Sequence, residues 1–459
     1  MVTENRQAGR PPSLIHRGLL TIDRTWTQLP GAVRFALMSL LWVVVSAVVA
    51  FRFIAAHQAF SYQDEYTYLD YIDKAAHGVL LRRNMLIDPY TANELACRGM
   101  ERFGPIVSGC GGTVNYDDLP IDGFSTGTIH SPVYFYVAAL LTKPMTAFAG
   151  ATMFTAARMT GAVFLGLGIA VLWVLMKELG ASRSVALAGS LLLLVSPQTW
   201  WSNFYITPDA VNILAGATIL LAALQMVRGR WSPVWFVLAS IFFALVKFQG
   251  VFAAGAALVF ITAYAIFGNS RRGLRRSWLA WGIGGTILAL AVQFGWQWLR
   301  MRLSLPDPPN STYVLDEPAP FRLEHALNQV GAFILNLYLG PSGHLEGQRE
   351  YHGYVLLAAV LLAASLVAAA LLNVAISRER RVFMQSMLAS LLLVGPAFYA
   401  YVALSSDTAF PLLPRYGGAL VPALYVGLGP VVDKPWQKRV LLCLAVVVVL
   451  LALHYNVAY

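Results

Sequence analysis

Apolar runs of roughly 18 residues or more recur along the chain, from Val33–Ala55 to Val440–Tyr455, each long enough for a helix to cross a bilayer with its backbone bonds satisfied internally. No other feature limits the fold as strongly. A chain that is 58% hydrophobic and 12% charged lacks the polar surface of a soluble globular protein. The expected class is an all-α polytopic membrane protein. The net charge of +10 does not point to nucleic acid, because Lys and Arg come in short clusters between apolar runs, which is the pattern of membrane orientation.

That orientation can be threaded. Residues 1–32, with Arg6, Arg10, Arg17 and Arg24, are expected as a retained cytoplasmic tail, being too long and uneven for a signal-peptide start. The first span delivers the chain to an outer loop, residues 57–153, too long for an idle connector. Within it, Asp64–Gly78 carries Tyr66, Leu69, Ile72 and Ala76 at helical spacing. The segment from His130 to Thr142 is short for a span and is expected as a helix in the outer interface. Further spans are expected at Phe154–Met176, Val185–Trp201, Ile206–Val227, a hairpin over Trp231–Gly268 turning at Lys247–Gly250, Trp278–Leu299, Tyr354–Val374, Met384–Leu404, Arg415–Asp433 and Val440–Tyr455. This makes about eleven in a single transmembrane domain, 33–459, with a second outer loop at 300–353. The later basic clusters then all fall inside. The expected location is the inner (plasma) membrane, with the polar groups gathered at the periplasmic or extracellular face.

Those groups are Asp64, Glu65, His130, Arg158, Asp209, Lys247, His344 and Arg415. Ionisable groups at membrane depth are costly and are functional candidates. Plainer readings stand beside them. Asp64 and Glu65 suit a first helical turn, Arg158 and Arg415 could snorkel from span ends, and Thr207-Pro208-Asp209 is a sound helix start. Lys247 is harder to explain so, because it sits at the turn of an apolar hairpin, where an ammonium calls for an anion.

Taken in order, Asp64-Glu65-x-x-Tyr68, His130-x-Pro132-x-Tyr134, Arg158-x-x-Gly161-Ala162, Tyr205-x-Thr207-x-Asp209 and Phe243-x-x-x-Lys247-x-x-Gly250 are similar to the ordered signature of the GT-C glycosyltransferases. The branch that they resemble holds the protein O-mannosyltransferases and the aminoarabinose transferase of lipid A. Pro414-Arg415-Tyr416 resembles an Arg-Tyr motif found late in several such enzymes. The resemblance implies a GT-C-like bundle with interfacial helices in the first outer loop. It also implies transfer of a sugar from a polyprenyl phosphate to a hydroxyl of a glycan, lipid or protein, usually with inversion. Asp64, with Glu65 beside it, maps to the catalytic acid, and Lys247 to a lysine that meets the lipid phosphate. The chain departs from the pattern at Thr67, where one subfamily has arginine, and at Ser131, which stands between His130 and Pro132.

The residue types fit that chemistry on their own terms. Displacing a phosphate from an anomeric carbon needs a base for the incoming hydroxyl and cations for the departing phosphate. Asp64 or Glu65 supplies the first; Lys247 with Arg158 or Arg415 supplies the second. Tyr68, His130, Tyr134 and Asp209 are expected at the substrate. No Gly-rich phosphate loop precedes a helix, so no nucleotide is implied. Carboxylates also suit hard cations, so a divalent metal stays open as a cofactor, while His344, Glu346, Glu350 and His352 match no established metal spacing. Cys97 and Cys110 share the outer loop, an oxidising setting in which a disulfide is expected. The rival class, a transporter or flippase, calls for charges or helix breaks near mid-bilayer and paired inverted halves.

Overall fold

The computed structural model describes residues 29–62, 64–101, 103–105, 110–268, 272–306, 321–340, 349–372, 377–406 and 413–455. Most of the expected cytoplasmic tail therefore lies outside the described residues, as do His344, Glu346 and the side chain of Glu350.

The chain is an all-helical, multi-pass membrane protein. Eight helices among the described residues are long and apolar enough to cross a bilayer. Helix α1 (Gly31–Ala56) is followed by two helices of the first loop, α2 (Glu65–Ala76) and α3 (Pro89–Arg98), and then by α4 (Pro132–Ala149) and α5 (Met153–Glu178). Next come α6 (Arg183–Leu194), α7 (Pro197–Phe204), α8 (Asn212–Val227), α9 (Pro233–Val246) and α10 (Gly250–Phe267). The C-terminal half holds α11 (Arg272–Arg302), α12 (Leu323–Asn328), α13 (Ala332–Leu339), α14 (Arg349–Leu371), α15 (Arg378–Ser406), α16 (Val421–Tyr425), α17 (Leu428–Val431) and α18 (Pro435–Tyr455).

The sequence-read spans are corrected in three places. The third span divides into α6 and α7 because Pro197 has no N–H to continue the ladder, and Ser196 caps the new start by accepting from the Thr199 N–H at 3.1 Å. The tenth is not one helix but a 3-10 turn, Pro414–Leu420, followed by α16 and α17; Gly417, Gly418, Pro422, Gly427 and Pro430 interrupt it. Helix α4 runs through Lys143–Pro144 to Ala149 rather than ending there. It is not among the helices apolar enough to span.

Burial shows what is central. In the helix Pro208–Val227, 89% of the apolar window is inside the protein, and in α5 72%, against 22% for α18. Helix α5 packs between α1 and α8. Two glycines permit the close approaches on which the site depends: a Cβ at Gly161 would lie 1.9 Å from the Asn203 carbonyl oxygen, and one at Gly216 1.9 Å from that of Ala419. The first seats α7 on α5. The second seats the Arg415 turn on α8, next to Asp209. Helix α2 lies against α4 and α5, so the loop acids are anchored to the bundle.

Candidate active site

Adjacent in sequence, the two acids of the first loop have opposite surroundings. Glu65 is 1% exposed. It accepts from Arg158 Nε at 2.7 Å and Nη2 at 2.8 Å, from the Ser61 N–H at 2.7 Å and from the Ile206 N–H at 2.9 Å. Arg158, also buried, donates as well to the carbonyls of His57 and Ala59, and its guanidinium lies over the rings of Phe154 and Tyr205 at 4.2 and 4.8 Å. Four bonds fill the Glu65 carboxylate and four of the five N–H donors of Arg158 are engaged, which holds the start of α2 against α5 and α7. A second, partly buried link runs beside it: Glu101 meets His57 Nδ1 at 3.1 Å and accepts from the Tyr205 hydroxyl at 2.5 Å.

Asp64 instead is half-buried, at the N-cap of α2, with φ 27° and ψ 0°. Non-glycine residues at positive φ carry strain and gather at functional sites. Its backbone carbonyl accepts from Thr67 Oγ1 at 2.8 Å, and its side chain accepts a long hydrogen bond, 3.4 Å, from Thr126 Oγ1. The carboxylate thus keeps spare acceptor capacity. Thr126 was not legible as a site residue; nothing in a Ser-Thr-Gly-Thr loop marks it.

The other candidates converge from separate segments. Lys247 caps the C-terminus of α9, 6% exposed, with Nζ 3.2 Å from Asp209 Oδ1 and 3.5 Å from His130 Nε2. The Tyr68 hydroxyl lies 3.2 Å from the same His130 nitrogen. An ammonium has only hydrogens to offer, so Nε2 is the acceptor and the ring proton sits on Nδ1. Burial, with the charges of Lys247 and Arg415, holds the His130 imidazolium well below its usual range, so the ring is neutral at pH 7. Burial likewise lowers the Lys247 ammonium, Asp209 opposing it, and the charge of Asp64 is felt there too. Burial and then Asp64 keep the Tyr68 phenol protonated.

Asp209, 2% exposed, meets Lys247, Asn212 at 3.0 Å and Thr207 at 3.3 Å. Tyr134 is 1% exposed, edge-on to Phe135 at 5.2 Å, and does not line the cavity at Lys247. Arg415 acts electrostatically on Tyr68, His130 and Lys247, and among the described residues its buried Nε has no hydrogen-bond partner. A guanidinium in that state is an anion site in waiting. Beside it, a cavity of about 240 Å³ is lined by His130, Lys247, Phe248, Gln249, Tyr401 and Tyr416 among others. Cys97 and Cys110 are joined by a disulfide. Among the described residues no group of three or more His, Cys, Asp or Glu is arranged to hold a metal ion.

No protein-family model matches the sequence, and no curated protein matches it. Solved structures do. ArnT from Cupriavidus metallidurans bound to undecaprenyl phosphate is 17% identical with a TM-score of 0.48, over 86% of this chain and 60% of that one. The Archaeoglobus fulgidus oligosaccharyltransferase in the apo form is 14% identical with a TM-score of 0.45, over 91% and 55%. The same organism's AglB, in complex with an inhibitory peptide and a dolichol-phosphate, is 13% identical with a TM-score of 0.47, over 91% and 55%. The chain spans 60% or less of the length of each of these structures.

Proposed function

We propose that this protein is a membrane glycosyltransferase that moves a sugar from a polyprenyl phosphate to a hydroxyl acceptor at the outer face of the plasma membrane, with inversion and with Asp64 as general base. One observation carries the reading. Asp64, on a backbone at positive φ and with spare acceptor capacity, stands one helical turn before Tyr68, whose hydroxyl shares His130 Nε2 with Lys247 Nζ, and the charge of Arg415 reaches both Tyr68 and Lys247. A base and a pair of cations in one neighbourhood are the two parts that displacement of a sugar phosphate requires.

In this reading Lys247 and Arg415 receive the phosphate, the lysine held by Asp209 and the arginine through its unpartnered Nε. Neutral His130 and the protonated Tyr68 supply polar edges for the sugar. Reaction with inversion follows from a single displacement, the acceptor oxygen arriving opposite the departing phosphate. The test is transfer of label from membrane-extracted polyprenyl-phosphate sugars by the purified full-length chain. Asp64→Asn is expected to lower transfer by at least a hundredfold with expression unchanged. Undiminished transfer by that variant, or retained stereochemistry at the anomeric carbon, overturns the reading. A transporter would move its cargo in vesicles irrespective of Asp64.

A further inference from the structure

Among the described residues three glutamines line the cavity at Lys247, Gln249, Gln293 and Gln297, and two of them are engaged in holding helices together. Gln293 Nε2 donates to the Ala244 carbonyl; Gln297 Nε2 donates to the Ile129 carbonyl at 3.1 Å while its Oε1 accepts from Arg300 Nη1 at 2.9 Å. Gln249 is different. It is 3% exposed, and its buried Oε1 has no hydrogen-bond partner among the described residues. Buried polar atoms are nearly always paired, so one that is not calls for an explanation.

The local structure does not need an amide at this position. Gln249 is the N-cap of α10, where a short Ser, Thr, Asp or Asn side chain would accept from the first turn, and its own side chain makes no such bond. The turn is held by its backbone instead: the N–H groups of Gly250, Val251 and Phe252 donate to the carbonyls of Lys247, Phe248 and Gln249 at 2.9, 2.9 and 3.0 Å. A Cβ at Gly250 would lie 2.6 Å from the Ala244 nitrogen, so the turn sits tightly on the end of α9. Between the two polar residues, Phe248 stacks on Tyr401 at 5.8 Å. Lys247 and Gln249 therefore stand on one turn fixed before any ligand arrives, in the wall of one cavity.

The chemistry of a polyprenyl-phosphate sugar says which part meets each of them. The tail is hydrocarbon and offers no hydrogen bond. The ionised phosphodiester only accepts, which suits the lysine ammonium. Hydroxyl groups are found on the sugar alone, and a hydroxyl both donates and accepts, as an amide does. We propose that Gln249 is a specificity-determining residue that reads the donor sugar, its carbonyl accepting from one ring hydroxyl while Lys247, on the same turn, holds the phosphate. The inference rests on the proposed transfer from a polyprenyl phosphate. A site built to bond a hydroxyl rejects the analogue that lacks it, because the buried acceptor is then left unpaired.

The experiment uses the labelled polyprenyl-phosphate sugar that the purified full-length enzyme accepts from the membrane extract, and the same donor rebuilt with each ring hydroxyl in turn replaced by hydrogen. For the wild-type enzyme, one deoxy donor is expected to lose kcat/KM by at least about a hundredfold. Gln249→Met, close in size but without the amide, should treat that deoxy donor and the full donor alike, with its preferences at the other positions unchanged. Gln249→Glu, which keeps an accepting oxygen at the same reach, should keep the discrimination. Each ratio compares two donors on one preparation, so loss of folded enzyme does not move it. Discrimination retained in Gln249→Met, lost in Gln249→Glu, or absent from the wild type at every position overturns the assignment of Gln249 alone. Transfer from no extracted donor, or transfer that survives Asp64→Asn, overturns the underlying reading instead.

Discussion

Exchanging the two neighbouring acids for their amides separates structure from chemistry at one step in the chain. Glu65 accepts four hydrogen bonds between 2.7 and 2.9 Å. In Glu65→Gln one oxygen becomes an NH₂ group, which cannot accept from the two donors that it faces and leaves the Arg158 guanidinium buried without its counter-ion. Losing hydrogen bonds to a charged group costs about 1.5–3 kcal/mol each, and breaking a buried ion pair by removing one partner costs about 3–5 kcal/mol. These overlap rather than add, so the expected destabilisation is about 3–5 kcal/mol. Asp64→Asn should fall within about 0.5 kcal/mol of wild type, because asparagine tolerates positive φ and still accepts from Thr126. Thermal unfolding and protease accessibility of the outer loop, measured on both variants in detergent, give the stabilities; label transfer gives the activities. Should Glu65→Gln prove as stable as wild type yet inactive, the assignment of Glu65 and Arg158 to the framework is wrong and Glu65 is the reacting acid.

Three further outcomes follow from the same coordinates. Lys247→Gln and Arg415→Gln should each lower transfer by roughly a hundredfold, the effect of losing one preorganised contact to developing charge; unchanged kcat/KM in both variants removes them from the phosphate. Replacing Cys97 and Cys110 by serine opens a link across a sequence separation of 13 residues and should cost about 3 kcal/mol in the chain-entropy picture, read as earlier proteolysis of the outer loop. Burial raises the Asp70 carboxyl from 3.8 to about 6, with Lys74 opposing. The folded loop then binds that proton more tightly than the unfolded chain does, so this stabilisation is present below about pH 4 and is lost as pH rises through about 6. Wild type should therefore lose roughly 2–3 kcal/mol of stability relative to Asp70→Asn between pH 4 and 7, and a difference constant across that range contradicts it.

Much of this was legible in one dimension. Helical spacing and capping residues near Asp64 pointed to α2, and the polar turn in an apolar hairpin singled out Lys247, because both signals are local. The broken tenth span was less so: Gly417, Gly418 and Pro422 are visible as breakers, but mean apolar character hid them. The roles of Glu65, Arg158 and Asp209 could not be read, since a carboxylate in sequence carries no record of how many donors surround it.

What the amino acids alone determined is the material: apolar runs that a bilayer must take up, basic clusters between them, and a small set of polar side chains among the apolar ones. Which of those side chains are consumed and which are left available was decided only when α5, α7 and the Arg415 turn closed on one another. The physical reason is that hydrogen-bonding capacity is finite. Ser61, Arg158 and Ile206 saturate Glu65, while one residue earlier the backbone turns Asp64 away from them, and only the folded arrangement fixes that difference.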